Sequence, residues 1–233
     1  MMSPVSPQTI HIYLLAGVAT AESIFHMCEQ KLEKICHEQG LEPVIKSVFP
    51  YGNNSRSVVR QVFEVRSDLS NRMKAGRIGG QLAYKTIKES YRGGRLLLIG
   101  HSGGGAAAYQ AVKLLHEEGT KEDDFRVVQV GSPRTPIQRN YQKHVGYFHA
   151  IDGAGRMIDP ISRIGSWGGW RLSKYAVPSW DSFKYAPGYI EGLPTIGGHA
   201  DYFRHSDPYL DEAKVCNLDK TINGVVGWLK GWL

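Results

Sequence analysis

The sequence predicts an α/β fold in which a mainly parallel central sheet carries helices on both faces. Short β-rich runs alternate along the chain with longer segments of helical periodicity, and this alternation is typical of parallel sheets with right-handed connections. The run 95–100 is continuously apolar, as expected for a strand covered on both sides. The chain has 233 residues, of which 42% are hydrophobic. This length and composition predict a single domain over 1–233.

The first half of the chain supplies two strands and two helical segments. Residues 11–16 are apolar and predict a buried strand. The helix predicted over 21–38 depends on apolar residues near 3.6-residue spacing, and Gly40 ends it. A second strand is predicted over 43–49 because a proline and glycine turn follows it, and a long, mostly helical region covers 55–91.

The second half begins with the buried strand 95–100. A helix is predicted directly after it, over 104–118, and opens on small residues. The runs 125–130 and 145–151 are rich in β-branched, aromatic and other apolar residues, so both predict strands. Because ligands bind at the carboxyl ends of the strands in such sheets, we expect the functional residues where these strands end.

Charge and cysteine content exclude several classes of protein. The chain has 28 Lys and Arg against 22 Asp and Glu without a long basic run, so we expect no nucleic-acid binding and, at most, peripheral contact with an anionic membrane. No apolar run approaches the roughly 18–20 residues that span a membrane, and the N-terminus lacks the basic segment of a secretory signal. Three cysteines without a CxxC pair are typical of reduced thiols in the cytoplasm, where we expect the protein. No metal or other cofactor is expected.

A motif for nucleophilic catalysis stands at the end of the strand 95–100. Gly100-His-Ser-Gly-Gly104 matches G-x-S-x-G and continues into small residues that open a helix. This order predicts a strained turn that exposes Ser102 and directs the backbone N–H of Gly103 at a substrate oxyanion. A serine that merely caps the helix is the alternative. A phosphate-binding loop is excluded because no Gly-Lys-Ser/Thr follows.

A serine nucleophile needs a histidine base and an acid, which follow the serine along the chain in folds of this kind. Among the histidines after Ser102, His199 and His205 are preferred, because the others lie in the following helix or in or just before a strand. His101 is expected to pack near the turn. The second oxyanion donor is expected in the loop after the first strand, where the N–H of Val18 is available.

Four segments occur in the order found in one enzyme family. They are Gly100-His-Ser-Gly-Gly104, Gly131-Ser-Pro-Arg134, Asp159-Pro-Ile-Ser-Arg-Ile-Gly165 and His199-Ala-Asp-Tyr-Phe203. Together they resemble the G-H-S-x-G-G elbow, the G-S-P-R strand end, the D-x-V-P-x-L-P acid segment and the H-x-x-Y-F histidine of class 3 (fungal-type) lipases. The resemblance covers about 10–203 and implies an α/β-hydrolase fold with a Ser-Asp-His triad that hydrolyses carboxylic esters. The chain departs from the pattern at Ser162 and Gly165, where the family has prolines.

Two aspartates compete for the position of the acid. Placement directly after a strand favours Asp152, whereas the resemblance favours Asp159. The resemblance also favours His199 as the base, since it carries the H-x-x-Y-F pattern. We therefore predict a triad of Ser102, Asp159 and His199, with Asp152 as the alternative acid and with Val18 and Gly103 as the oxyanion donors.

Three segments are candidates for surrounding the site. The aromatic-rich segment 160–198 is predicted to be an insertion that forms a lid or substrate-binding segment, or else packs the edge of the domain. The helical region 55–91 is the other candidate for a lid. The apolar run 225–233 is expected either to dock onto the domain or to touch a membrane interface.

These residues predict a serine carboxylic-ester hydrolase of the carboxylesterase or triacylglycerol lipase type. It would act on lipid or short-chain acyl esters, as small-molecule substrates, through an acyl-enzyme intermediate. A phospholipase or an acyltransferase with the same triad is the alternative among enzymes. A hydrolase-fold binding module without catalysis is the alternative outside them.

Overall fold

The computed structural model describes residues 8–18, 20–51, 78–173 and 175–233. The strands of this part are β1 (Gln8–Leu15), β2 (Leu41–Val48), β3 (Arg95–His101), β4 (Phe125–Val130), β5 (Val145–Ala150), β6 (Gly169–Leu172), β7 (Pro178–Asp181) and β8 (Tyr189–Leu193). Its α-helices are α1 (His26–Glu38), α2 (Ile78–Ser90), α3 (Gly103–Glu117) and α4 (Asn217–Leu229). Six strands form one sheet in the order β2-β1-β3-β4-β5-β8, and all neighbours are parallel.

Helices cover both faces of this sheet. On β1, Ile10 and Ile12 belong to the apolar cluster that includes α1 and α4, whereas Tyr13 and Leu15 belong to the cluster that includes α2 and α3. Successive side chains of a strand point to opposite faces, so a strand buried on both faces is apolar almost throughout. The α/β arrangement predicted from the alternation of strands and helices is confirmed.

The helix predicted over 21–38 begins later than expected, as α1 at His26, and the helix predicted over 104–118 agrees with α3 to within one residue. A short 3₁₀ turn, Glu22–Phe25, precedes α1. Of the helical region predicted over 55–91, the structure shows α2, and residues 52–77 lie outside the described part. Most of the segment predicted as a candidate lid therefore lies outside the described residues.

The segment 160–198, expected as one insertion, has two structurally different parts. Its middle carries an antiparallel hairpin of β6 and β7, whereas its end, β8, pairs with β5 in the main sheet. Trp167 is buried and packs edge-on against Tyr147, with ring centroids 4.8 Å apart. The segment thus contributes a separate two-stranded sheet and one strand of the main sheet.

The C-terminal run 225–233 docks onto the domain. The Trp228 ring stacks with Tyr189 at a centroid distance of 6.0 Å, and a Cβ at Gly146 would lie 2.9 Å from that ring. Leu229 is buried in the core beside it. The apolar character of this run is therefore explained by packing. In the described part of the chain, no helix has both the length and the apolar character needed to cross a membrane.

Candidate active site

The turn between β3 and α3 holds Ser102 in a strained backbone conformation. Its φ is 56° and its ψ is −132°, a region that residues with a side chain rarely adopt. The Ser102 N–H donates to the Val130 carbonyl oxygen at 2.9 Å, and the Ser132 hydroxyl donates to the Ser102 carbonyl oxygen at 2.8 Å. Hydrogen bonds from both sides therefore stabilise this turn.

The glycines of the motif are required by close approach of the backbone. A Cβ at Gly100 would lie 2.4 Å from the backbone of Gly104, and a Cβ at Gly104 would lie 2.1 Å from the Leu15 carbonyl oxygen. Atoms cannot approach so closely without displacement of the backbone. Helix α3 can therefore begin directly behind Ser102 only with glycine at these positions.

His199 and Asp159 are joined by a hydrogen bond. His199 Nδ1 lies 2.9 Å from Asp159 Oδ2, and the aspartate is fully buried. Because the carboxylate accepts this bond, the neutral imidazole carries its proton on Nδ1 and a lone pair on Nε2. His199 and Ser102 both line one cavity. The ring can therefore act as a base toward a group in that cavity.

Asp159 receives further hydrogen bonds. The Tyr202 hydroxyl donates to Oδ2 at 2.8 Å, the Ser162 hydroxyl donates to Oδ2 at 3.2 Å, and the Ile161 N–H donates to Oδ1 at 2.8 Å. Burial by itself raises the pKa of Asp159, but the bonds from His199, Tyr202 and Ile161 outweigh it and hold the pKa below its ordinary value. The buried carboxylate is therefore ionised and can stabilise a protonated His199.

Tyr202 is a contributor that reasoning from the sequence missed. Its hydroxyl also accepts the Ala150 N–H at 2.8 Å, so it connects the end of β5 to Asp159. Burial, together with the nearby Asp159, raises the pKa of Tyr202, and the phenol stays protonated. The available signal was the tyrosine in the H-x-x-Y-F pattern. Ser162, noted only as a departure from that family, is a second donor to the same carboxylate.

The alternative acid, Asp152, holds a turn. Its carboxylate accepts the N–H groups of Ala154 and Arg156, each at 2.9 Å, and Arg156 Nε at 2.8 Å. These bonds, the backbone bond of Arg156 above all, hold the pKa of Asp152 below its ordinary value. Among the described residues, it has no hydrogen bond to a histidine. The structure thus brings Asp159, and not Asp152, to His199.

The loop after β1 lies directly against Ser102. A Cβ at Gly17 would be 2.6 Å from Ser102 Cβ and 3.0 Å from its Oγ. The Thr20 hydroxyl donates to the Gly17 carbonyl oxygen at 3.1 Å and so tightens the loop. Val18 follows Gly17 and lines the same cavity as Ser102. The backbone N–H groups of Val18 and Gly103 remain the predicted oxyanion donors.

The cavity beside Ser102 has a volume of about 560 Å³. It lies between the beginning of α1 and the loop 199–206, and its apolar walls include Ile24, Met27 and Phe203. His205, the second candidate base, also lines it. Among the described residues of 160–198, none lines this cavity. The described part of the aromatic segment 160–198 therefore does not line the cavity beside Ser102.

Comparison with known proteins supports the fold. The thioesterase RedJ of the prodiginine biosynthetic pathway in Streptomyces coelicolor is similar, with a TM-score of 0.52 and 12% identity over 98% of this chain and 97% of that chain. The NocB thioesterase domain from the nocardicin cluster has a TM-score of 0.51 and 12% identity, over 95% of both chains. No family model and no curated protein matches the chain. The chain has an α/β-hydrolase fold, and at this identity the likeness shows the fold alone.

Proposed function

We propose that this protein is a serine hydrolase that cleaves acyl esters or thioesters with Ser102 as nucleophile, His199 as base and Asp159 as acid. One observation carries the proposal. The hydrogen bond of 2.9 Å between His199 Nδ1 and the buried Asp159 carboxylate occurs at a cavity that the strained Ser102 also lines. A nucleophile, a base and a group that orients the base are together the requirement for this chemistry.

The proposed reaction proceeds in two halves. Ser102 Oγ attacks the substrate carbonyl while His199 Nε2 takes the hydroxyl proton, and the N–H groups of Val18 and Gly103 stabilise the oxyanion. The tetrahedral intermediate collapses as protonated His199 gives its proton to the leaving alcohol or thiol. Water then attacks the acyl-enzyme, with His199 again as base, and releases the carboxylic acid and free Ser102. The ionised Asp159 stabilises the imidazolium that forms in each half.

Two classes of acyl donor are proposed as substrates. The motifs that resemble class 3 lipases favour carboxylic esters, including lipid esters. The similar solved structures are a thioesterase and a thioesterase domain, which makes thioesters the second class to test. Both classes pass through the same acyl-enzyme, so one active site accommodates either.

An active-site probe tests the proposal directly. A fluorophosphonate is expected to label the protein at Ser102, as located by peptide mass spectrometry, and Ser102→Ala is expected to abolish both labelling and hydrolysis of p-nitrophenyl butyrate. The exposed Ser182 provides the control, since Ser182→Ala should retain both. Hydrolysis by Ser102→Ala at the rate of the parent would overturn the proposal. A parent protein that neither reacts with the fluorophosphonate nor hydrolyses the ester would favour a binding module without catalysis.

The hairpin of β6 and β7 favours a lipid surface as the place of action. Trp170, Leu172 and Trp180 lie on one of its faces and are more than half exposed. The other face carries an ion pair between Arg171 and Asp181. Indole rings partition into the interfacial region of a bilayer, and the chain is basic. We therefore propose, as a second candidate, a phospholipase or acyltransferase that acts at an anionic membrane.

Vesicle binding tests this second candidate. The protein is expected to sediment with phosphatidylglycerol vesicles, and a Trp170→Ser, Trp180→Ser double variant is expected to remain in the supernatant. A matched variant, Trp232→Ser, changes a tryptophan outside the hairpin and should still bind. Sedimentation of the double variant with the vesicles would contradict the role of the hairpin. Partition of the acyl group between water and an added alcohol separates hydrolysis from transfer.

A further inference from the structure

The cavity beside Ser102 is biased toward positive charge. Its described lining comes from the loop after β1, the 3₁₀ turn and first residues of α1, the end of β3 with Ser102, and the loop 199–206. Among these lining residues there is no aspartate or glutamate, and Arg204 is the one permanently charged side chain. A lining of this kind favours an anionic group over a cationic one.

Arg204 is held at the rim of the cavity by its neighbours. Its N–H donates to the Asp201 carbonyl oxygen at 3.1 Å, and its own carbonyl oxygen accepts the Leu218 N–H at 2.9 Å, so its backbone is fixed. The guanidinium lies over the Tyr209 ring, with 5.8 Å from Cζ to the centroid. This support orders the side chain before a ligand binds and lowers the entropy lost on binding.

The guanidinium of Arg204 has hydrogen-bond donors left for a ligand. Nε forms an ion pair with Asp201 Oδ1 at 3.6 Å, a distance beyond a good hydrogen bond, and Asp201 Oδ2 is bonded to the Gly198 N–H at 2.8 Å. Within the described part of the chain, the terminal nitrogens of Arg204 have no hydrogen-bond partner. The side chain is 59% exposed, so a ligand in the cavity can reach its planar fork, which suits carboxylate and phosphate oxygens.

The position of Arg204 indicates which part of a substrate it would meet. Arg204 and His199 belong to the same loop, 199–206, which forms one wall of the cavity. In the proposed mechanism His199 protonates the leaving alcohol or thiol, so that group departs along the wall that carries His199. A leaving group that extends along this wall would meet the charge of Arg204.

We propose that the site prefers esters or thioesters whose leaving alcohol or thiol carries a carboxylate or a phosphate, and that Arg204 binds this anion. The inference rests on the proposed function, since it uses His199 to orient the substrate. It goes beyond that function because it defines a substrate class and a residue that determines specificity.

Two matched thioesters test the inference. S-butanoyl-3-mercaptopropionate and S-butanoyl-3-mercaptopropanol differ chiefly in the charge at the far end of the thiol, and thiol release can be followed with a chromogenic reagent. The parent protein is expected to show a kcat/KM for the anionic thioester about fivefold above that for the neutral one at low salt, as for an ion pair at a partly exposed site. The ratio should fall toward one as salt is added. S-butanoyl-2-mercaptoethyl phosphate distinguishes phosphate from carboxylate as the preferred anion.

Variants of single charged residues test whether Arg204 causes the preference for the anionic thioester. Arg204→Gln is expected to bring the ratio close to one through a higher KM for the anionic thioester, whereas Arg204→Lys should retain part of the preference. Arg171→Gln, on the hairpin, removes the same charge away from the cavity and should leave the ratio unchanged. Thermal unfolding shows whether each variant is folded.

The outcomes separate this inference from the proposed function. If the parent hydrolyses both thioesters with equal kcat/KM, or if Arg204→Gln retains the full preference, the anionic substrate class is overturned while the serine hydrolase stands. If the parent hydrolyses neither thioester nor p-nitrophenyl butyrate, and no fluorophosphonate labels Ser102, the proposed function itself fails.

Discussion

His101 Nε2 lies 2.9 Å from the carbonyl oxygen of His199, and the two imidazole rings stack with their centroids 5.0 Å apart. Since a carbonyl oxygen can only accept, Nε2 carries the proton of a neutral His101. Burial, followed by the charge of His199, lowers the pKa of His101 to about 4. The residue before the proposed nucleophile therefore holds the backbone of the proposed base while it remains uncharged.

The buried His101 is expected to make stability depend on pH. Its pKa is about 4 in the folded protein against 6.5 for a free side chain, so the unfolded chain binds more protons between these values. Stability from this residue is present above pH 6.5 and is lost as the pH falls toward 4. Between pH 7 and pH 5 the loss should be about 2 kcal/mol. His101→Phe should lack this part of the loss, as measured by urea unfolding at both pH values.

Two comparisons make the result specific to His101. His37 is exposed, so His37→Gln should lose as much stability as the parent. His144 is also buried, and burial lowers its pKa to about 4, so it should preserve some pH dependence in His101→Phe. A curve for His101→Phe that parallels the parent between pH 7 and pH 5 would show that His101 does not titrate on unfolding.

The Tyr202 hydroxyl is expected to support both stability and activity. Tyr202→Phe removes a donor to the buried Asp159 carboxylate and leaves the Ala150 N–H without that partner. Loss of such bonds should lower the free energy of unfolding by about 1–3 kcal/mol and kcat/KM by about tenfold. Because the Tyr202 bond lowers the pKa of Asp159, its loss raises that pKa, and the acidic limb of the kcat/KM profile should move to higher pH.

Tyr189→Phe is the matched control for this prediction. The Tyr189 hydroxyl also donates to a carboxylate, that of Glu191, at 2.7 Å, but on the edge strand β8. Its loss should leave the pH profile of kcat/KM in place. If Tyr202→Phe shows the profile of the parent, the hydroxyl has no part in positioning or charging Asp159.

Most strands of the main sheet could be predicted because each is a run of consecutive, mostly apolar residues. Strand β4 coincides with its predicted bounds, and its residues are nearly all buried. Strands β6, β7 and β8 were not predicted. Strand β8 shows why. Its sequence, Tyr189-Ile-Glu-Gly-Leu193, is short and half-exposed, and contains glycine. Its place in the sheet depends on pairing with β5, a contact that local periodicity does not contain.

In the candidate site, too, local features could be predicted from the sequence and tertiary contacts could not. The turn at Ser102 could be predicted because its strand, glycines and helix are contiguous in the chain. The choice between Asp152 and Asp159 could not be made from placement alone, since both follow β5 in one connection. It depends on how that connection folds back, with the Ile158 N–H bonded to the Ala150 carbonyl oxygen at 3.0 Å. The bonds of Tyr202 and Ser162 to Asp159 are likewise tertiary contacts.

Substitution of the two aspartates should separate their roles. Asp159→Asn retains the shape of the side chain but removes the charge that orients and stabilises protonated His199, so kcat should fall about 10³- to 10⁴-fold. Asp152→Asn alters the turn held by Arg156 and should keep kcat within about twofold of the parent, because that turn makes no bond to His199 among the described residues. Hydrolysis of p-nitrophenyl butyrate measures both. The opposite ranking would assign the acid to Asp152.

Gly17 is expected to be intolerant of even one methyl group. Its φ is not in the positive region, so alanine is compatible with the backbone, but the new Cβ would lie 2.6 Å from Ser102 Cβ and 3.0 Å from Ser102 Oγ. The loop or the serine must move, and a displacement of about 1 Å at a nucleophile can lower the rate about 10²-fold. Gly153→Ala is the control, because its Cβ would meet nothing within 4 Å. We expect Gly17→Ala to lose about 10²-fold in kcat/KM and to react slowly with a fluorophosphonate, while Gly153→Ala matches the parent. Equal rates for all three proteins would mean that the loop after β1 can shift without effect on Ser102.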